Sequence, residues 1–255
     1  MLKRLLHRLV PAPVHPIDRE FGIDTSGTIS ARRLASGNGL LDRNSIGYAG
    51  SQPSVVHKAL MAIWNVTLCN TFIDLGCGKG RALAVAGGFP FDRMIGIELS
   101  SSLAKIARRN VAILKNRGIP NVSSDIDILV GDASVPDLNG CGSTVIYLYN
   151  SFGEPIIRRL LAHLEAHVEA NPDQKLWLVY YNPVWTSVIE ESNVFDRYFA
   201  DKIAFSDKEA ATHPFDNRSD SVVIWQSRSG EMFKPRPGHD RNVIVTIPDR
   251  GADVQ

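Results

Sequence analysis

The segment Thr71-Phe-Ile-Asp-Leu-Gly-Cys-Gly-Lys-Gly-Arg81 constrains this chain more than any other stretch. An apolar run carries Asp74 near its end, Gly76, Gly78 and Gly80 follow at alternate positions, and an Ala-rich helical stretch comes next. Glycines at such a turn let the backbone bend sharply and approach a ligand without a Cβ in the way. A helix starting just beyond offers free N–H groups and the positive end of its dipole. A phosphate-binding P-loop needs GxxxxGK[ST], and Gly80 stands where Ser or Thr is required. A dinucleotide loop needs GxGxxG or GxGxxA, and Arg81 occupies its third position.

Around this loop, short apolar runs alternate with helical patterns, the signature of βαβ units and a parallel sheet. The strands expected are Thr71–Leu75, Met94–Ile97, Asp127–Val130, Val145–Tyr149, Leu176–Tyr181, Tyr198–Phe205 and Ser221–Gln226. Helices are expected from Pro53 to Trp64 with Ser54 as N-cap, after Ser100 to a stop at Gly118, from Glu154–Pro155 onward, and from Pro183 to Val194. Residues 11–49, broken by Pro11, Pro13, Pro16 and then Gly22, Gly27, Gly37 and Gly39, are expected to be an irregular lid or arm. Two acids join Asp74: Glu98 closes the second strand, and Asp132, in Val130-Gly-Asp-Ala133, follows the third. All three fall at C-terminal ends of successive strands, where open α/β sheets bind ligands.

Acidic-x-Gly-x-Gly-x-Gly at a strand end resembles motif I of the class I S-adenosylmethionine (SAM) methyltransferases. The resemblance covers about Pro53 to Gln226. It implies a doubly wound, Rossmann-like, mostly parallel α/β sheet of seven strands with helices on both faces. The last strand would be antiparallel and inserted beside the penultimate one. It also implies a cofactor: SAM, with Asp74, Gly76, Gly78 and Gly80 around its methionine part, Glu98 on the ribose hydroxyls, and Asp132 with Ala133 at the adenine. The charges agree, since SAM carries an ammonium and a sulfonium, whereas a pyrophosphate would be repelled by Asp74.

The fourth strand ends in Tyr147-Leu-Tyr-Asn-Ser-Phe-Gly153. This is partly similar to the Asp/Asn-Pro-Pro-Tyr/Phe tip of amino-directed methyltransferases, with both prolines absent. The similarity implies Asn150 as the hydrogen-bond acceptor for a substrate amine and Phe152 as its aromatic wall. A capping role for Asn150 is the alternative, since Asn commonly serves turns. Tyr180-Tyr-Asn-Pro183 either adds walls to the acceptor pocket or simply ends a strand. Upstream, Phe21-Gly-Ile-Asp-Thr-Ser-Gly27 and Tyr48-Ala-Gly-Ser-Gln-Pro53 resemble the front end of a group of uncharacterised bacterial class I methyltransferases. More distantly, Tyr48, Ser51 and Pro53 resemble seven-strand protein-lysine methyltransferases, which implies Tyr48 and Ser51 at the methionine end of SAM. The acceptor is then a protein lysine or another amine, with a small-molecule methyltransferase or a SAM-binding module without turnover as alternatives. Arg81 disfavours a nicotinamide oxidoreductase.

The chain has 255 residues, 44% hydrophobic and 22% charged, as for one large globular domain with trimmings. Three units are expected: a helix and arm over 1–52, the cofactor domain over 53–228 and a tail over 229–255. A net charge of +1 gives no whole-molecule attraction to nucleic acid. Cys69, Cys77 and Cys141 form no even framework and suit a reducing, cytoplasmic setting. No apolar run reaches the ~20 residues of a bilayer span. The amphipathic stretch from Met1 to Val10 is expected to dock on the domain rather than on a membrane surface. His163 and His167 sit four apart on a helix without HExxH, so no metal is expected.

Overall fold

The computed structural model describes residues 13–34, 37–117, 125–213, 215 and 217–242. The stretch from Met1 to Val10, Gly118 and the apolar run Val243–Ile247 lie outside these residues. The first part of the chain holds α1 (Pro16–Phe21), β1 (Thr28–Ile29), a 3-10 turn (Ala31–Arg33), α2 (Gly39–Asn44), β2 (Tyr48–Ala49) and α3 (Pro53–Trp64). Then come β3 (Thr71–Leu75), α4 (Arg81–Ala86), β4 (Arg93–Glu98), α5 (Ser101–Asn116), β5 (Ile126–Val130), β6 (Thr144–Tyr149) and α6 (Glu154–Ala170). The rest is β7 (Leu176–Tyr181), α7 (Thr186–Glu190), β8 (Phe195–Ala204), α8 (Asp207–Ala210) and β9 (Ser219–Ser227).

Seven strands form one sheet in the order β5-β4-β3-β6-β7-β9-β8. The pairs β5–β4, β4–β3, β3–β6 and β6–β7 are parallel, and β9 runs antiparallel between β7 and β8. The expected fold class therefore stands. Strand alternation sends successive side chains to opposite faces. On β3 and β6, Phe72 and Tyr147 join the core under α3, α4 and α5. Ile73, Leu75, Ile146 and Leu148 join the other core, under α6 and α7. Both faces are covered, which is why β3 and β7 are buried at every position. Among the described residues no helix is long and apolar enough to cross a membrane.

The structure corrects the sequence reading at several points. Within 11–49 the chain is not simply irregular: it carries short helices and a two-stranded ladder, β1–β2. Ile17 and Ile23 of this arm pack with Ala84 of α4 and Leu114 of α5, which anchors it to the sheet layer. Ser54 is not the N-cap of α3. Gln52 is, and the Ser54 N–H is instead met at 2.8 Å by the Glu209 carboxylate of α8. The helix expected from Pro183 to Val194 is only the five-residue α7, which ends at a C-cap on Glu191 before the chain enters β8 at Phe195.

Candidate functional site

The switch between β4-β3 and β6-β7 opens a cleft of about 350 Å³ at the strands' C-terminal ends. That is within the usual range for small-ligand sites, and the position is the one open α/β sheets favour. Asp74, Gly76, Gly78, Glu98, Asp132, Ala133, Asn150, Phe152, Tyr48 and Ser51 all line it. Gly80 does not. It sits at the N-cap of α4 with φ +85°, and a Cβ there would face Ala107.

The glycine loop is held by β4. Gly76 and Cys77 donate their N–H groups to the Ile97 carbonyl, and Gly78 donates to Glu98 Oε2 at 2.8 Å. Glu98 Oε1 accepts the Ser100 N–H, also at 2.8 Å, at the start of α5. Glu98 thus fixes the loop and a helix start, and an ionised carboxylate still has lone pairs left for a ligand. Asp132 is more occupied. Its Oδ1 accepts from Ser134 N and Oγ, and its Oδ2 pairs with Arg159 at 2.8 Å.

Asp74 is 3% exposed, and no hydrogen bond to its carboxyl occurs among the described residues. Burial, and then the nearby Glu98 charge, raise its pKa well above the ordinary carboxylate value. A buried carboxyl left without a partner is costly unless something positive or hydrogen-bonding meets it.

The arm closes one side of the cleft. Tyr48 donates its hydroxyl to the Thr25 carbonyl at 2.6 Å, and its ring presses on Gly78. Ser51 Oγ receives the Tyr147 hydroxyl at 2.8 Å. The residue that sequence reasoning missed is Arg81. In sequence it marks only a departure from a dinucleotide pattern, yet it is 5% exposed and grips the arm. Its guanidinium donates to Thr25 Oγ1, to the Thr25 carbonyl and to the Gly50 carbonyl. Lys79 adds an ion pair with Asp24 at 2.8 Å and a bond to the Ser26 carbonyl. No local signal announces these contacts, because the partners lie 31 to 56 residues away in sequence.

On the other side, β6 and β7 end alike. Tyr149 and Tyr181 are register partners whose rings stack at 4.2 Å. The next residues, Asn150 and Asn182, adopt φ +37° and +50° and are the non-glycine residues with positive φ among those described. Both line the cleft and both are buried. Asn150 Oδ1 has no hydrogen-bond partner. The left-handed backbone is also one that asparagine commonly serves at turns, so the turn role stands beside the ligand role. Such backbone strain and an unmet polar atom are usual at ligand sites. Phe152 is half-buried, its carbonyl accepting from Trp185 Nε1. Of Tyr180-Tyr-Asn-Pro183, Asn182 lines the cleft, while Tyr180 is buried in the core beneath α6 and Tyr181 in the opposite core. His163 and His167 bond instead to the Pro136 carbonyl and the Gln174 side chain.

No protein-family model matches the chain, and no curated protein matches it in sequence. Solved structures are similar to it at TM-scores below 0.5. The methyltransferase domain of the bacterial CtHen1-CN is 14% identical and is covered over 97% of its length by 68% of this chain, with a TM-score of 0.48. An RNA methyltransferase from Salinibacter ruber, in complex with S-adenosyl-L-homocysteine, is 20% identical over 73% of this chain and 97% of its own, at 0.42. The YcgJ protein of Bacillus subtilis is 12% identical over 69% and 100%, at 0.45. None of these likenesses assigns a chemistry to this chain.

Proposed function

We propose that this protein is a SAM-dependent methyltransferase acting on an amine nitrogen. One observation carries the reading: the buried Asp74 carboxyl and the buried Asn150 amide oxygen, which has no hydrogen-bond partner, line the same cleft as the glycine loop. The residues fit the cofactor. Asp74 offers an anion to the ammonium or sulfonium, Glu98 has lone pairs for ribose hydroxyls, and Gly76 and Gly78 give the loop its left-handed turns and let Ser151 and Tyr48 pack against it. Asp132 and Ala133 border the adenine end, although Asp132 is largely engaged by its own turn and Arg159. Tyr48 and Ser51 close over the methionine end from the arm. When bound, SAM supplies a methyl group made electrophilic by the sulfonium.

What the chain must add is placement. Aligning two reactants in near-attack geometry supplies several kcal/mol of barrier reduction, about 7–11 in the best intramolecular cases. Asn150 serves that end by accepting a hydrogen from the acceptor nitrogen and fixing its lone pair, with Phe152 beside it. The arm, held by Arg81 and Lys79, keeps water from the loop. The expectation of a protein-lysine acceptor is one version of this reading, and a small amine is the other.

The reading is tested by transfer of labelled methyl from SAM to a panel of amines and lysine-containing proteins. Label should move with the wild-type chain and fail to move with Asp74→Asn. Tight SAM binding without transfer to any acceptor would mark a binding module instead.

A further inference from the structure

The arm sorts its side chains by polarity. Ile29, Leu34, Leu41 and Ile46 line the cleft, whereas Arg32, Arg33, Asp42 and Arg43 of the same stretch do not. Ile29 is the register partner of Tyr48 on the β1–β2 ladder. Opposite residues of an antiparallel pair share a face, so Ile29 stands beside the ring that presses on Gly78. Leu41 is buried, but Ile29 and Leu34 are only half-buried and Ile46 is 39% exposed. Among the described residues, none of the four joins the two cores of the sheet. Apolar surface gathered at a cleft and left open to water marks a place where something apolar binds.

This wall is built in place. Ser45 makes an antiparallel bridge to Phe152, and the Gly153 N–H donates to the Asn44 carbonyl at 2.8 Å. Gly47 packs on β1, where a Cβ would come within 2.7 Å of the Ile29 carbonyl oxygen. Ile156 of α6 and Phe215 of the loop before β9 extend the apolar lining. Charge lies elsewhere. Among the described residues, the charged side chains lining the cleft are Asp74, Arg81, Glu98 and Asp132. All four sit at or just beyond the tips of β3, β4 and β5, where the cofactor reading puts SAM.

We infer that the arm selects an acceptor with an aliphatic body: a small amphiphile whose alkyl chain lies along Ile29, Leu34 and Ile46 while its nitrogen reaches the cofactor. The inference rests on the methyl-transfer reading above. It adds what the arm does for that site, which is to choose the acceptor's body rather than to meet its nitrogen. A polyanion such as nucleic acid would call for the arm's arginines in the cleft, and they lie outside it. A polar body would give up its hydration to a wall that offers no charge in return. An alkyl chain has no hydration to lose and covers the exposed wall, the usual composition of a small-ligand site being apolar with a few polar groups.

The test titrates propylamine, butylamine, pentylamine and hexylamine into the full chain saturated with S-adenosylhomocysteine at pH 7.5, followed by ligand-observed NMR. Each added methylene should tighten binding about three- to fourfold, the gain from burying one such group. Ile46→Ser, at a partly exposed position that the fold tolerates, should cut that gain to less than about twofold per methylene. It should leave the affinity for S-adenosylhomocysteine unchanged. Leu40→Ser is the control, since Leu40 is 48% exposed on the same arm and does not line the cleft. Its series should match the wild type. A wild-type gain below about twofold per methylene, equal gains in the wild type and Ile46→Ser, or an equal loss in Leu40→Ser overturns the inference and leaves the methyl-transfer reading standing. Failure of S-adenosylhomocysteine to bind the folded chain overturns that reading, and the inference with it.

Discussion

The Tyr48 ring lies so close to Gly78 that a Cβ at that glycine would come within 2.4 Å of Tyr48 Cε2. Gly78 also has φ +55°, where an L side chain is strained. One contact therefore ties the arm to the loop that would carry the cofactor. Lys79 strengthens it, with Nζ 5.5 Å from the centre of the Tyr48 ring.

Gly78→Ala should destabilise the fold by about 1–3 kcal/mol, from left-handed strain and overpacking together. It should also displace Tyr48 and abolish SAM binding. Thermal unfolding and a SAM titration of the same preparation check this, and an unchanged melting temperature would mean that the ring does not sit where we place it.

Asp74→Asn should act in two opposite directions. A carboxyl whose folded pKa is raised makes the fold less stable as pH climbs from its unfolded value, ~3.9, through the folded one. Removing the charge should therefore raise the melting temperature of the ligand-free protein at pH 7.5. The same change should weaken SAM at least roughly tenfold, the scale of a lost hydrogen bond to a charged group. In the wild-type chain, SAM affinity should fall as pH drops, because Asp74 must then give up a proton to meet a cation. A variant that loses stability and keeps SAM affinity contradicts the role.

His15 gives the arm a pH dependence. Its Nδ1 accepts the Ile17 N–H at the start of α1, and its Nε2 faces Gln52 Oε1 at 3.1 Å. Burial, and then Arg81, lower its pKa. With the folded value below the unfolded one of ~6.5, its contribution to stability is present above that pH and is lost as pH falls through the folded value. Protonation also removes the cap, worth about 1 kcal/mol. Hydrogen exchange of residues 15–26 should accelerate below pH 6.5 in the wild type. The acceleration should vanish in His15→Asn, which keeps a capping oxygen that does not titrate. Identical pH profiles in both proteins would rule His15 out.

Arg81→Lys tests the hinge between arm and loop. A lysine has one donor head where the guanidinium serves Thr25 and Gly50 together. The arm should then show faster proteolysis and SAM affinity should drop, with the sheet core unchanged in far-ultraviolet dichroism. Proteolysis at the wild-type rate would show that the arm is held by other contacts.

Much of this was legible from sequence because it is local. Asp74, the three glycines and Glu98 belong to adjacent βα units, where strand, turn and helix start follow each other within about thirty residues. The strand-tip rule then placed Asp132 and Asn150 in the same cleft. What escaped was set by distant contacts. Arg81 reads as a departure from a dinucleotide loop until Thr25 is folded over it, and the Ser54 N–H at the start of α3 is met by Glu209, 155 residues away. Asn150 and Asn182 share a left-handed backbone just past two parallel strands that end in register, a pairing that no single segment reveals.

The most direct measurement is calorimetric titration of the full chain at pH 7.5 with SAM and with S-adenosylhomocysteine. The account expects one site of micromolar affinity for each, lost in Asp74→Asn and retained in Asn150→Gly. A folded chain that gives no heat with either ligand would contradict the claim that this cleft is a SAM site.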